Sequence, residues 1–269
     1  MTISKNSLLS TLKRVEINLS DLCNRTCGFC PRHDRSLYKN SKEHMSLIDV
    51  ELIARQLREI EYQGWIDLVG FSEPLLYKDL TTAIKILSSV SGAVIEINTN
   101  GDLLTKELLL ELHSAGLTHL FVSMYDTDQS DYFTDMCSET DIVLTLRHHY
   151  DPKNNYGLNL VNRNYITDKK TLPLNISRPC NLPFYKIFID HTGDYLSCSQ
   201  DWAKTSKDPR KNIKELSIKD YWLDHLDLYR KHLSAGNREQ LSPCCKCDIQ
   251  GTLHGQLEHS KWSEYYLNN

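Results

Sequence analysis

The sequence predicts an α/β protein in which repeated βα units build a parallel sheet, followed by a smaller unit of different character. Three observations predict it. Short β-rich runs alternate with helical stretches from about residue 12 to 162. Polar stretches at 151–155 and 168–179, the second with two prolines, then break the alternation. Beyond residue 179 the chain opens on a hairpin signal instead of another βα unit. Right-handed crossovers make such a series a parallel sheet, either curled into a barrel or open and doubly wound, and six units are too few for a complete eight-fold barrel.

In chain order, the predicted strands are 15–19, 65–71, 93–98, 119–124, 142–146 and 158–161, with helices over 47–62, 80–90, 104–115 and 128–137 between them. The clearest helix is 104–115, with Thr105 near its start and Gly116 just past its end. Beyond the boundary placed in 168–179, the runs 184–190 and 195–197 flank His191-Thr192-Gly193-Asp194, a turn sequence, and an amphipathic helix is predicted over 217–232. No repeat of 20–50 residues and no low-complexity tract is present.

Composition excludes several function classes. The 269 residues are 40% hydrophobic and 25% charged, as in an ordinary globular protein. The net charge of −4 and pI near 6.3 lack the basic footprint of a nucleic-acid binder. No apolar run approaches the length of a membrane span, and Lys5, Lys13, Arg14 and Glu16 leave no signal-peptide core in the first twenty residues. A cytoplasmic protein with no membrane or nucleic-acid partner is expected.

Nine cysteines stand out against that background, three within eight residues near the start and three within four near the end. Clustered cysteines in a reducing compartment point to metal or catalysis. Cys23, Cys27 and Cys30 form C-x3-C-x2-C directly after the first predicted strand. Three thiolates on one loop can hold three irons of a 4Fe–4S cube and leave the fourth open to a substrate. A zinc ion, or three unrelated cysteines, is the plainer alternative.

That loop, with the aromatic Phe29 before its third cysteine, resembles the hallmark of the radical S-adenosylmethionine (AdoMet) enzymes. The resemblance implies a partial (β/α)6 TIM-like barrel, with the cluster loop after strand one. It also implies a 4Fe–4S cluster whose unique iron chelates AdoMet, and reductive cleavage to a 5′-deoxyadenosyl radical that abstracts hydrogen. Gly70-Phe71-Ser72-Glu73-Pro74 looks like the family's Gly-Gly-Glu-Pro motif for the AdoMet amino group, with Ser72 replacing the second glycine. Thr99-Asn100-Gly101 resembles the segment near the AdoMet ribose and carboxylate, and Ser123 at the next strand end joins the candidate contacts. Alone, each of these is a turn sequence; their order on successive strand ends makes them a set.

A second set starts with Cys180, twelve residues, Gly193, four residues, Cys198, and ends in the pair Cys244 and Cys247. Four thiolates in two pairs could close a zinc site. The spacing, with 200–202 and the 217–230 helix, also resembles the SPASM/Twitch extension of radical AdoMet enzymes. Too few cysteines are present for the two clusters of a full SPASM domain, so the resemblance implies one auxiliary 4Fe–4S cluster. The expected division is a radical AdoMet core at 1–170 and a Twitch/SPASM-like domain, a small β-hairpin plus helix, at 171–269.

Within the Twitch group, most of the chain resembles the cyclitol-oxidising dehydrogenases of aminoglycoside biosynthesis. The match includes Glu73-Pro74-Leu75-Leu76, Thr99-Asn100-Gly101-Asp102 and Asn162-Arg163; Arg147-His148-His149-Tyr150 departs from it. This resemblance implies oxidation of a secondary alcohol of a cyclitol, aminoglycoside or sugar-like substrate, with Arg163 orienting or deprotonating the hydroxyl. The auxiliary cluster would take the electron, and a flavodoxin or ferredoxin-type protein would supply the reductant. Alternatives are an epimerase acting on a sugar or peptide residue with Cys137 or Cys245 as hydrogen donor, a peptide-modifying enzyme, and a non-catalytic zinc-binding interaction protein. Cys137 is also readable as a small buried hydrophobe.

Overall fold

The computed structural model describes residues 4–36, 38–150, 177–247 and 249–269. A seven-stranded sheet, all parallel except for one edge strand, organises them in the order β5-β4-β3-β2-β1-β6-β7. Its strands are β1 Arg14–Ile17, β2 Trp65–Leu68, β3 Val94–Thr99, β4 His119–Met124, β5 Val143–His148, β6 Lys186–Ile189 and β7 Tyr195–Leu196. Helices α1 Leu47–Glu59, α2 Leu80–Leu87, α3 Lys106–Ser114 and α4 Ser130–Cys137 make the crossovers.

The helices start and stop where local chemistry dictates. Ser46 caps α1 by accepting from the Asp49 N–H at 3.1 Å, and Thr105 caps α3 by accepting from the Leu108 N–H at 3.2 Å. Gly116 ends the α3 region at φ +112°, a conformation that side-chain-bearing residues avoid.

Register then sorts the two faces of the sheet. Val15, Ile17, Ile66, Leu68, Ile95, Ile97, Leu120 and Val122 form one buried apolar face and join Ile53, Leu57, Ile84, Leu87, Leu109 and Leu112 of the helices in one core. The opposite face carries Arg14, Glu16, Asp67, Glu96, Ser123, Arg147 and Lys186. One cavity is lined from β1, β3, β4, β5 and β6 together. A sheet whose far strands share a cavity must wrap round it, which is the expected partial-barrel form of the α/β fold.

The predicted 158–161 strand lies outside the described residues. Three other local expectations change. The single strand at 184–190 is instead a helical turn, α5 Leu182–Tyr185, followed by β6; Pro183 in the first turn of α5 suits a helix start. The continuous helix at 217–232 is broken into α6 Ile218–Asp220, a π turn at Tyr221–His225 and α7 Asp227–Ser234. The wider turn lets the consecutive Tyr221, Trp222 and Leu223 all be buried, with Tyr221 stacked on Tyr195 and the Trp222 indole donating to the Leu8 carbonyl at 3.1 Å. Finally, β6 runs parallel to β1 on the edge that β2 leaves free, so the sheet continues past residue 170 before β7 closes the hairpin.

Among the elements that went unpredicted are a 3₁₀ turn at Lys5–Thr11 and a helix, α8 Gln256–Asn268. They meet where the Trp262 indole donates to Thr11 Oγ1 at 2.8 Å.

Candidate active site and cysteine centres

The main cavity has a volume of about 330 Å³ and opens at the C-terminal ends of the strands, where the loops of a (β/α) barrel carry its chemistry. Cys23, Cys27 and Cys30 all line it, from the loop that succeeds β1.

Buried polar contacts shape that loop. Arg32, 3% exposed, pairs with Asp21 at 2.6 Å and also donates to the Phe71 carbonyl and to Asn40. On the other side, Arg25 grips Asp102 through two nitrogens at 2.7 and 2.5 Å and reaches Asp126 at 2.8 Å. The loop is thereby tied to the ends of β3 and β4. Phe29 stacks on Tyr125 and His149, with ring centres 6.0 and 5.3 Å away.

Glu73 faces the cysteines from the loop after β2, almost wholly buried. Its carboxylate accepts from the Leu75 N–H at 3.1 Å, the Thr99 hydroxyl at 2.5 Å and the Asn100 N–H at 2.8 Å. Burial nevertheless raises its pKa, the three donors pulling the other way. Asn100 in turn donates to Asn24 at 2.8 Å, joining the third-strand motif to the cysteine loop. Ser72 donates to Asn18 at 2.6 Å, and Asn18 donates to the buried Asp190 at 2.9 Å. Gly70 is confined by this pair, because a Cβ there would stand 2.8 Å from that of Asn18. Thus Phe29, Ser72, Glu73, Thr99, Asn100 and Ser123, predicted from separate motifs, all line one cavity with the three cysteines.

The second cysteine set also comes together. Cys180, Cys198, Cys244 and Cys247 line a separate, mostly apolar pocket with Leu182, Tyr229 and Leu233. Arg238, 1% exposed, braces it by donating to the carbonyls of Arg178 and Pro179 at 2.9 Å and of Ile249 at 3.0 Å. Gln200 lines this pocket and the main cavity alike, so the two are neighbours.

Both sets suit an iron–sulfur cluster. Burial, then the like charges of Cys30 and Cys23, pushes the Cys27 thiol up to about 12. Burial likewise raises Cys23, Cys180, Cys198 and Cys244. Thiolates gathered out of water need a compensating cation, which a cluster supplies. Among the described residues no group of three ligating side chains is tight enough for a single ion; a four-iron cube is wider and takes more widely spaced thiolates.

Two predicted residues stand apart. Cys137 is buried in the hydrophobic core at the end of α4. Cys245 stands beside the four-cysteine pocket, and neither lines the main cavity. Arg163 lies outside the described residues. Missed from sequence were Glu16, Arg147 and Lys186, which line the cavity from strand positions that no motif marks.

Comparison with known proteins agrees with this geometry. Residues 17–142 match the Radical SAM superfamily. The S-adenosyl-L-methionine-dependent 2-deoxy-scyllo-inosamine dehydrogenase of Niallia circulans is 25% identical over 239 residues, spanning 87% of this chain and 92% of that protein. A GTP 3′,8-cyclase of Alkaliphilus metalliredigens is 29% identical over 145 residues, but these are 53% of this chain and 43% of the cyclase. Among solved structures, BtrN in complex with AdoMet and 2-DOIA has a TM-score of 0.74 at 24% identity, covering 95% of this chain and 98% of that one. Native anSMEcpe with bound AdoMet is more distant at 0.56 and 12%, covering 95% and 96%. The structural likenesses establish the fold, and the domain match displaces the reading as a non-catalytic zinc protein. With a 4Fe–4S cluster and AdoMet as the cofactors it implies, residues 17–142 carry a radical SAM domain.

Proposed function

We propose that the enzyme oxidises a secondary alcohol of a cyclitol, aminoglycoside or sugar-like molecule to a ketone. The observation that carries this is the adjacency of the two cysteine centres: Gln200 belongs to the walls of both the main cavity and the four-cysteine pocket. A substrate radical in the cavity would stand next to an electron acceptor, as oxidation requires and epimerisation does not. The likeness to the Niallia circulans dehydrogenase over nearly its whole length supports the same reading.

Cys23, Cys27 and Cys30 would hold the AdoMet-binding cluster, and Cys180, Cys198, Cys244 and Cys247 an auxiliary one. Together the first cluster and AdoMet supply the 5′-deoxyadenosyl radical that abstracts hydrogen. Glu73, held by Thr99 and Asn100, presents a carboxylate to the AdoMet ammonium, and Ser72 and Ser123 offer hydroxyls beside it. The Phe29 side chain, stacked on Tyr125 and His149, offers an aromatic wall to the adenine.

Arg163 would orient the substrate. The cavity volume suits a small molecule, and the placement of Cys137 and Cys245 away from it gives the epimerase reading no support. We keep 1–170 as the radical SAM core and 171–269 as the Twitch-like unit, joined through β1 and β6. A flavodoxin or ferredoxin-type protein would deliver the reducing electron.

The test is anaerobic turnover of ring-deuterated 2-deoxy-scyllo-inosamine and related cyclitols by the reconstituted enzyme. Deuterium in 5′-deoxyadenosine together with a ketone product is expected. An alcohol product of changed configuration, its abstracted deuterium replaced by hydrogen and no ketone formed, would replace oxidation with epimerisation.

A further inference from the structure

On the cavity wall nearest the four cysteines stands a carboxylate that none of these roles uses. Glu16 projects from β1 beside β6. One of its oxygens, Oε1, accepts from Lys186 Nζ at 2.7 Å, and the same ammonium donates to Ser199 Oγ at 3.1 Å. The other oxygen, Oε2, is buried with no hydrogen-bond partner. A buried carboxylate oxygen without a donor is costly, so it marks a place where a donor is expected to arrive.

The surroundings say from which side. Glu16, Lys186 and Ser199 line the main cavity, and the same three line a narrow gap whose far side includes Cys198. They form a partition with substrate space on one face and the four-cysteine pocket on the other.

We infer that Glu16 is the proton acceptor for the alcohol, its free oxygen receiving the hydroxyl hydrogen of the substrate while Lys186 occupies the other oxygen. The inference rests on the dehydrogenase reading and completes it. The C–H hydrogen atom goes to the 5′-deoxyadenosyl radical, leaving a carbon radical that still bears its O–H. The O–H proton passes to Glu16 Oε2. One electron passes to a one-electron acceptor, an oxidised iron–sulfur cluster at the four cysteines, and the C–O bond becomes C=O.

Proton and electron thus leave through the same wall, and losing the proton makes the radical a stronger reductant just where the acceptor lies. Arg163 cannot take this part, because a guanidinium stays protonated and has no acceptor atom.

The test compares wild type with Glu16→Gln, both reconstituted, using ring-deuterated 2-deoxy-scyllo-inosamine. It scores deuterium in 5′-deoxyadenosine, ketone formed per 5′-deoxyadenosine, and calorimetric binding of the unlabelled cyclitol with AdoMet and no reductant. In the variant, binding should weaken by about tenfold at most and deuterium transfer should persist. The ketone yield per 5′-deoxyadenosine should fall by about a hundredfold, the contribution of a general base.

An unchanged ketone yield overturns the assignment, and so does complete loss of cyclitol binding. If Glu16→Gln does not fold, Glu16→Asp serves instead. It should fold, bind and give an intermediate ketone yield, and a yield equal to wild type overturns the assignment. Wild type that makes 5′-deoxyadenosine but no ketone overturns the dehydrogenase reading, and this assignment with it.

Discussion

Replacing Glu73 by Gln separates what the carboxylate does for AdoMet from what it does for the fold. The carboxylate accepts three hydrogen bonds, two through Oε1 and one through Oε2. An amide can keep its oxygen toward Thr99 and Leu75, but its NH2 must then face the Asn100 N–H, donor against donor. A buried donor left unmatched costs about 1–3 kcal/mol.

An opposing effect works at neutral pH. Because burial raises the Glu73 pKa above its unfolded value, ionised Glu73 subtracts stability as pH rises through that interval. A neutral amide is spared that cost. The two effects oppose, so the net loss should stay below about 2 kcal/mol, a Tm change of under about 8 °C for a domain of this size.

AdoMet binding has no such offset. Exchanging a charge-assisted bond for a neutral one removes about 1.5–2 kcal/mol, a ten- to thirtyfold weaker Kd. Calorimetric titration of AdoMet into anaerobically reconstituted protein, beside a thermal melt of the same sample, reads both quantities. A Kd within threefold of wild type would refute the role of Glu73, and a Tm fall of about 15 °C would refute the balance.

Cys198→Ala should reduce iron from about eight to about four per chain, the content of one cube, while 5′-deoxyadenosine is still formed; iron analysis and product chromatography check it. Asp67, whose pKa burial pushes up to about 7 despite Arg14 at 2.8 Å, binds a proton in the folded state that it has lost in the unfolded one between about pH 4 and 7. Wild-type stability should therefore decline as pH rises through that window, and urea melts of Asp67→Asn should show a shallower decline.

The residues that were legible in the sequence are those whose spacing is itself chemical. Three cysteines on one loop, Glu73-Pro74 and Thr99-Asn100-Gly101 each announce a strand end, and the fold gathers them into one cavity. Glu16, Arg147 and Lys186 carry no such mark. In the chain they look like ordinary polar positions of half-exposed strands, and only the wrapping of the sheet turns their face into an interior. The 217–232 segment misled for a related reason: its apolar residues keep a helical period, but burying three consecutive side chains requires the π turn at Tyr221–His225. In α8 only Glu258 and Trp262 are buried, too thin a stripe to register as an amphipathic helix before Thr11 and Trp222 surround the indole.

The position of β1 between β2 and β6 has a consequence during synthesis. The strand that leads into the cysteine loop is made well before one of its two neighbours, which begins at Lys186. Until the ribosome has released that stretch, β1 has an open edge, and Glu16 lacks the ammonium that pairs with it. The loop bearing Cys23, Cys27 and Cys30 is thus anchored on an unfinished sheet until β6 is made. Such long-range closure is slow to form. Iron delivery to the cysteine loop should accordingly follow the synthesis of β6, and cells short of assembly factors should accumulate folded protein without iron at that loop.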